Sequence, residues 1–180
     1  NKYYDQNLKK NRLKNLKNIS NFIFIKDNLK NKKKILKILK KHRIDKVVHL
    51  AAQPGVRYSL INPDSYIENN LLCFFNIIEA SKNHKIKHFV YASSSSVYGL
   101  NRSKKFHEKD KTENPAQLYA ATKKSDELIA EAYSNLFKLK CTGIRFFSVY
   151  GPAGRPDMAV YLFTKKIINN EVIQIFNYGN

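Results

Sequence analysis

The sequence predicts an α/β fold in which short parallel strands alternate with amphipathic helices. Two observations indicate it: apolar runs of strand length recur along the chain, and the segments between them carry apolar residues at helical spacing. A chain of 180 residues is long enough for one domain with an apolar core, so we expect a single domain over residues 1–180. Small or polar residues follow three of the strands, where open parallel sheets bind ligands.

Local patterns justify each predicted element. Residues 31–42 place Ile35, Ile38 and Leu39 on one helical face and lysines on the other, and Pro63 suits the first turn of a helix. The predicted strands are residues 22–25, 47–52, 88–92, 141–149 and 172–176, and the predicted helices are residues 31–42, 63–82, 117–137 and 158–170. This alternation predicts a parallel sheet with helices on both faces. The Asn-rich residues before the first strand show no clear periodicity.

The net charge of +19 raises the question of whether the protein binds nucleic acid. Residues 1–50 hold 16 Lys and Arg against three Asp and Glu, so most of the excess charge lies there. Lysine predominates among the cations, and the chain has no Trp, whereas nucleic-acid surfaces usually combine Arg with stacking aromatic residues. We interpret the basic residues as a solvated surface, and a non-catalytic nucleic-acid-binding module remains the alternative.

The composition also bears on compartment and metal binding. No run approaches the roughly 18 to 20 apolar residues that a membrane span needs, so we expect no membrane association. Cys73 and Cys141 stand far apart in apolar surroundings, without a second Cys or His at metal-ligand spacing. We therefore expect no metal site and a cytoplasmic protein with two free thiols.

Tyr119 and Lys123 are four residues apart in a predicted helix, which puts both side chains on one face. An ammonium beside a phenol favours the phenolate, and such a tyrosine can exchange a proton with an alcohol or a carbonyl. The run Ser93–Ser96 follows a predicted strand and could bring a hydroxyl to the same place. Taken singly, the pair also fits a surface Tyr packed on a Lys stem, and the serines fit a polar loop.

The sequence lacks the Gly-rich turn with which dinucleotide-binding sheets hold phosphates after their first strand. Its six glycines form no GxGxxG or GxxGxxG pattern near the beginning, and the chain starts at Asn1. Either the chain does not bind a dinucleotide, or its first βα unit is missing.

Five longer motifs occur in order along the chain. They are HLAAQPGVRYS (49–59), YASSSSVYG (91–99), LYAATKK (118–124), IRFFSVYGP (144–152) and GRPDMA (154–159). Together they resemble the NAD-dependent epimerase/dehydratase family of extended short-chain dehydrogenases/reductases, and most closely the UDP-glucuronate 4-epimerases. The resemblance covers essentially the whole chain. It implies a Rossmann-like, doubly wound parallel sheet that is incomplete, without its first βα unit and its carboxyl-terminal substrate region.

The resemblance implies NAD-dependent epimerisation of a UDP-sugar at C4, with UDP-glucuronate giving UDP-galacturonate through a 4-keto intermediate. Tyr119 would be the catalytic acid/base, Lys123 would lower its pKa and hold the nicotinamide ribose, and Ser94 would bind the reacting oxygen. The family also implies a homodimer that pairs helices 63–82 and 117–137. We expect a piece of this length, expressed alone, to bind NAD poorly and not to turn over.

Cofactor and substrate contacts are likewise implied by the resemblance. The cofactor-binding residues would be Asp27, Leu50, Ala51, Ala52, Asn69, Phe146 and Val149, together with Tyr119 and Lys123. Asn69 is expected to be a buried helix asparagine near the active centre. The substrate would be held by Arg57, Ser95, Ser96, Ser148 and Arg155.

Three residues separate this chain from related enzymes. Ser95 and Ser96 stand where related dehydratases place an Asp-Glu pair, which argues against elimination of water. Ser148 stands where galactose-type epimerases typically have Asn, and a hydroxyl donor suits a substrate carboxylate better. UDP-glucuronate decarboxylases and other nucleotide-sugar epimerases of the family remain alternatives.

Overall fold

The computed structural model describes residues 3–56, 58–101 and 105–175 of the 180-residue chain. Residues 27–147 form one compact unit, and the described parts of residues 1–26 and 148–180 form a second. The larger unit contains the sheet and the helices that carry the Tyr/Lys pair and the serine run.

Among the described residues, three parallel strands form the sheet, in the order β1 (Lys46–His49), β2 (His88–Ser94) and β3 (Cys141–Phe146). The register pairs Lys46 with His88 and Ser94 with Phe146. The carboxyl ends of β2 and β3 therefore lie side by side. This arrangement confirms the predicted α/β class with a parallel sheet, although β1 and β3 each end three residues before the predicted strand does.

Seven α-helices are described. They are α1 (Gln6–Lys17), α2 (Lys32–Lys41), α3 (Tyr58–Ile61), α4 (Pro63–Tyr66), α5 (Cys73–His84), α6 (Leu118–Phe137) and α7 (Ala159–Ile168). A π-helical segment, Ile67–Leu72, joins α4 to α5, and a 3₁₀ turn, Ser95–Tyr98, follows β2. Asparagine side chains start two of the helices: Asn31 accepts from the Lys34 N–H, and Asn62 accepts from the Ser65 N–H.

The core lies between the sheet and the helices α5 and α6, which form the connections between consecutive strands. Phe74 of α5 is fully buried, and its ring meets the rings of Phe89 and Tyr91 edge-on at 5.7 and 5.3 Å. Burial of such a side chain contributes about 1.5–3 kcal/mol. Helix α2 packs on α5 through Ile35 and Leu39, so the apolar face predicted for residues 31–42 is confirmed.

Two predicted strands are wrong, because a strand needs a partner as well as an apolar run. Residues 22–25 have no regular secondary structure and pair with no strand in the described part of the chain, and Ile23 is 65% exposed. Residues 172–175 are also irregular, and Phe176 lies outside the described residues. The Asn-rich opening, for which no element was predicted, forms α1 with Asp5 as its cap.

The predicted helix 63–82 is interrupted. Helix α4 ends at Tyr66, the π-helical segment follows, and α5 then continues to His84. A π turn holds one more residue than an α turn, so it changes which side chains face the core.

Gly99 occupies a position that other residues fit poorly. Its φ is +57°, and a Cβ added to it would lie 1.8 Å from the carbonyl oxygen of Asn114. That carbonyl also accepts the Leu100 N–H at 3.3 Å, so it cannot move away freely.

We predict that Gly99→Ala lowers the free energy of unfolding of the full-length protein by about 2–4 kcal/mol in denaturant titrations. Gly151→Ala is the matched control, because Gly151 also has a positive φ (+124°) but its added Cβ would meet nothing within 4 Å. Equal losses in the two variants would show that the contact with Asn114 does not set the cost.

Candidate active site

Helix α6 is anchored to the end of β2 by a buried ammonium. Lys123 is 2% exposed, and its Nζ donates to the Ala92 carbonyl oxygen at 2.9 Å and to Asp126 Oδ2 at 3.2 Å. Ala92 precedes Ser94 by two residues on β2. The structure therefore brings Lys123, and with it the first turns of α6, to the strand that carries the serine run.

The serines after this strand have different environments. Ser93 Oγ donates to Glu127 Oε1 of α6 at 2.6 Å, so its hydroxyl proton is already used in a hydrogen bond. Ser94, which is buried, accepts from the Ser96 N–H at 3.2 Å and donates to Ser96 Oγ at 3.1 Å. Ser95 and Ser96 are half-buried in the 3₁₀ turn. The turn thus groups the Ser94 and Ser96 hydroxyls at the carboxyl end of β2.

Glu127 joins α6 to both β2 and β3. Besides the bond from Ser93, its two carboxylate oxygens accept from Arg145 Nε at 2.9 Å and Arg145 Nη2 at 3.0 Å. Burial alone would raise the pKa of Glu127, but the Arg145 and Ser93 hydrogen bonds hold it below its ordinary value. The paired charge fixes the helix across neighbouring strands, since Ser93 and Arg145 are opposite each other in the sheet.

A buried hydrogen-bond network ties α6 to the segment after β1. Asn70, on the π-helical segment, is 1% exposed; it accepts from the Gln53 N–H at 2.7 Å and donates to the Gln53 carbonyl at 3.2 Å. Asn70 also donates to Thr122 Oγ1 at 3.1 Å, and Thr122 donates to the Tyr119 carbonyl at 2.8 Å. The backbone of Tyr119 is therefore held from β1 as well as from β2.

The Tyr119 side chain is half-buried and lies against a fixed aromatic ring. Tyr66 meets it edge-on, with ring centroids 6.0 Å apart and an interplanar angle of 80°. Tyr66 is itself fully buried, and its hydroxyl donates to the Pro54 carbonyl at 2.9 Å. This contact restricts the orientation of the Tyr119 ring.

Asn69 was expected to be buried, but it is only half-buried, whereas the next residue, Asn70, is 1% exposed. The Asn69 amide donates to the Ser65 carbonyl at 2.7 Å and to Ser65 Oγ at 3.2 Å. The additional residue in the π turn directs Asn70, rather than Asn69, towards Gln53.

Apart from Asn69, Tyr119 and Lys123, the residues proposed for cofactor contacts in the larger unit lie at strand ends or on the surface. Residues 50–52 follow β1, and Leu50 is 61% exposed, while Phe146 at the end of β3 is 38% exposed. Asp27 accepts from Lys34 Nζ at 2.7 Å, and this bond holds the pKa of Asp27 below its ordinary value.

The remaining predicted residues lie in the second unit or outside the described chain. Ser148 and Val149 are exposed. Arg155 donates to both oxygens of Asp157, at 3.0 and 2.6 Å, so its guanidinium already has a carboxylate partner. Arg57 lies outside the described residues.

His49, at the end of β1, is buried among aromatic side chains. Its ring stacks on Phe89 at 6.3 Å between centroids. Burial, assisted by the nearby Lys123 charge, lowers its pKa to about 4. His49 is therefore neutral near pH 7 and packs as part of the core.

Sequence reasoning missed the residues that hold the site together: Asn70, Thr122, Asp126, Glu127 and Arg145. A usable signal existed for Asp126, which lies three residues after Lys123 on a predicted helix and so on the same face. Asn70 and Arg145 gave none, because their partners are distant in the sequence.

Within the described ranges, no three or more His, Cys, Asp and Glu side chains are grouped to hold a metal ion. Among the same residues, no helix is both long and apolar enough to cross a membrane.

A family model described as GDP-mannose 4,6 dehydratase matches residues 2–180. The chain belongs to the NAD-dependent epimerase/dehydratase family of extended short-chain dehydrogenases/reductases. Protein CapI of Staphylococcus aureus is 51% identical over 180 residues, covering 100% of this chain and 54% of that protein. UDP-glucuronate 4-epimerase 4 of Arabidopsis thaliana is 47% identical over 181 residues, covering 100% of this chain and 41% of that protein.

Among solved structures of the family, UDP-glucuronic acid 4-epimerase from Bacillus cereus, in complex with UDP-glucuronic acid and NAD, superimposes with a TM-score of 0.87. It is 35% identical, and the match covers 94% of this chain and 53% of that one. The chain thus spans about half the length of the relatives that it matches. The predicted Rossmann-like fold class is confirmed by this superposition.

We predict that Asn70→Ala lowers the free energy of unfolding of the full-length protein by about 2–4 kcal/mol, measured by denaturant titration. The substitution would leave the Gln53 backbone groups and the Thr122 hydroxyl without their buried partner. Asn69→Ala is the control and should cost less than about 1 kcal/mol, because Asn69 is half-buried. A loss at Asn69 as large as that at Asn70 would contradict the assignment of the network.

We predict that protonation of His49 destabilises the protein as the pH falls. The unfolded chain binds this proton near pH 6.5, whereas the folded protein binds it near pH 4. Stability is therefore lost between these two values, by about 3 kcal/mol. Unfolding titrations at pH 7 and pH 4.5 should show a smaller loss for His49→Leu than for the wild type or for His107→Gln, a control at an exposed histidine. Identical losses in all three proteins would refute this assignment.

Proposed function

We propose that the full-length protein is an NAD-dependent nucleotide-sugar 4-epimerase that converts UDP-glucuronate to UDP-galacturonate. The observation that carries the proposal is the placement of Tyr119 and Lys123 together on α6. The Lys123 ammonium binds β2, the strand that ends in Ser94. The relatives named as UDP-glucuronate 4-epimerases support this substrate. Residues 1–180 would then be one part of the NAD-binding domain.

The described side chains suit NAD as the cofactor. Tyr119 and Lys123 carry hydroxyl and ammonium donors of the kind that bind ribose hydroxyls, and the strand ends expose small or apolar side chains. The proposed contacts are Asp27, Leu50, Ala51, Ala52, Asn69, Tyr119, Lys123, Phe146 and Val149. The chemistry that bound NAD would supply is a reversible hydride acceptor for C4 of the sugar.

Tyr119 is the proposed acid/base. As phenolate it accepts the proton of the C4 hydroxyl, and it returns this proton when the sugar is reduced again. The Lys123 ammonium stabilises the phenolate through charge, and its burial strengthens this effect because water does not screen it. Ser94 would donate a hydrogen bond to the reacting oxygen in place of its bond to Ser96 Oγ. The Tyr66 ring restricts the orientation of the Tyr119 ring.

The fate of the substrate carboxylate separates an epimerase from a decarboxylase. A 4-keto glucuronate is a β-keto acid, which loses CO2 when its carboxylate aligns with the carbonyl π system. We propose that hydroxyl donors anchor the carboxylate away from that alignment: Ser95, Ser96 and Ser148. Arg57 and Arg155 would add positive charge, although Arg155 must first exchange its partner Asp157.

We further propose a cytoplasmic homodimer that pairs through α5 and α6. Both helices expose large apolar side chains, with Phe75 39%, Leu128 53% and Phe137 49% exposed. The thiols of Cys73 and Cys141 are not joined in a disulfide, which is consistent with a reducing compartment. We propose no nucleic-acid partner.

Incubation of the full-length protein with NAD and UDP-glucuronate, followed by NMR of the products, tests the reaction. We expect UDP-galacturonate at equilibrium with the substrate. A UDP-pentose would instead identify a decarboxylase, and an unchanged substrate would refute the proposed function.

Tyr119→Phe tests the proton-transfer role. We predict that it lowers kcat by about 10²–10⁴-fold, because the proton acceptor is removed, while NAD affinity measured by calorimetry stays within a few-fold. Tyr133→Phe is the matched control on the same helix, where the hydroxyl donates to Glu79 Oε2 at 2.7 Å. A Tyr119→Phe enzyme as active as this control would exclude Tyr119 as the acid/base.

A further inference from the structure

Tyr119, Lys123 and Asp126 form a single stripe along α6. Their spacings of four and three residues put all three side chains on one helical face, with the ammonium between the phenol and the carboxylate. Lys123 Nζ lies 3.2 Å from Asp126 Oδ2. Helix α6 thus positions both the Lys123 ammonium, which would act on Tyr119, and the Asp126 carboxylate, which opposes the charge of Lys123.

The Lys123–Asp126 pair is buried to an unusual degree for an ion pair. The Lys123 side chain is 3% exposed and that of Asp126 is 0% exposed. Asp126 Oδ1 has no hydrogen-bond partner in the described part of the chain, although it is fully buried. Burial and the unpartnered oxygen make the ionised carboxylate costly, so its charge depends on the Lys123 ammonium beside it.

The other charged and titratable groups near the pair have different partners. On α6, Glu127 is bound by Arg145 of β3 and by Ser93 of β2. On β1, His49 has a pKa lowered to about 4 by burial and is neutral. On β2, burial raises the pKa of Tyr91, so this phenol is neutral as well. Asp126 is therefore the carboxylate that directly contacts the Lys123 ammonium.

We propose that Asp126 is a positioning residue that acts on Tyr119 through Lys123, by partly neutralising the ammonium that stabilises the Tyr119 phenolate. This inference rests on the proposed acid/base role of Tyr119. With the carboxylate ionised, Tyr119 experiences the field of a paired charge; without it, the full field of a buried cation. Burial raises the pKa of Asp126, with Lys123 opposing the shift, so the pairing weakens when the carboxyl takes up a proton.

The test compares Asp126→Asn with the wild type in the full-length protein. The Tyr119 phenolate is titrated by its ultraviolet absorbance, as the difference between each protein and the same protein carrying Tyr119→Phe. We expect the Tyr119 titration, and the acidic limb of the kcat profile, to move to lower pH by roughly half a unit to one unit. Glu131→Gln, which removes an exposed carboxylate from the same helix, should leave both where they are.

An unmoved titration in Asp126→Asn would show that Asp126 has a purely structural role and would overturn the proposal. A move to higher pH would also overturn it, because it would mean that Lys123 loses its charge when the carboxylate is removed. If Asp126→Asn does not fold, Asp126→Ala removes the same charge and carries the same expectation. The absorbance titration needs no substrate, so it tests Asp126 even if UDP-glucuronate proves not to be turned over.

Discussion

The buried ammonium of Lys123 is the interaction on which the rest of the site depends. Removing a cation from water costs several kcal/mol unless other groups replace the lost hydrogen bonds. Here the Ala92 carbonyl and the Asp126 carboxylate replace them. Because Lys123 belongs to α6 and Ala92 to β2, the bond between them leaves the helix only a narrow range of positions on the strand. Tyr119, one turn before Lys123, is fixed with it, and Asn70 secures the same part of the helix from the side of β1.

Much of the fold follows from local patterns, and the exceptions have physical causes. Helix α6 was predicted to within one residue, because its amphipathic repeat is visible in the sequence. Residues 22–25 look equally like a strand, but an apolar run becomes a strand only when another strand pairs with it. The break at Ile67–Leu72 could not be predicted, since the bonds that accompany it join Asn70 to Gln53 and Thr122.

In the candidate site, too, some features follow from local sequence patterns and others only from contacts between distant residues. The spacing of Tyr119 and Lys123 and the serine run after a strand were sufficient to indicate acid/base chemistry, and the structure brings Lys123 to that strand. The supporting contacts of Glu127 could not be predicted, because Ser93 and Arg145 come from other strands and meet it only in the folded chain. Spacing along one helix is readable in a sequence, whereas register between strands is not.

The most direct test of the account follows the hydrogen at C4 of the sugar. UDP-glucuronate that carries deuterium at C4 should be incubated in ordinary water with the full-length protein and NAD, and the UDP-galacturonate formed should be examined by NMR. Transfer of a hydride from C4 and its return to the same carbon predicts that the product keeps the deuterium at C4. Replacement of the deuterium by solvent hydrogen would show that C4 is inverted through a proton rather than a hydride, and would contradict the role assigned to Tyr119 and Lys123.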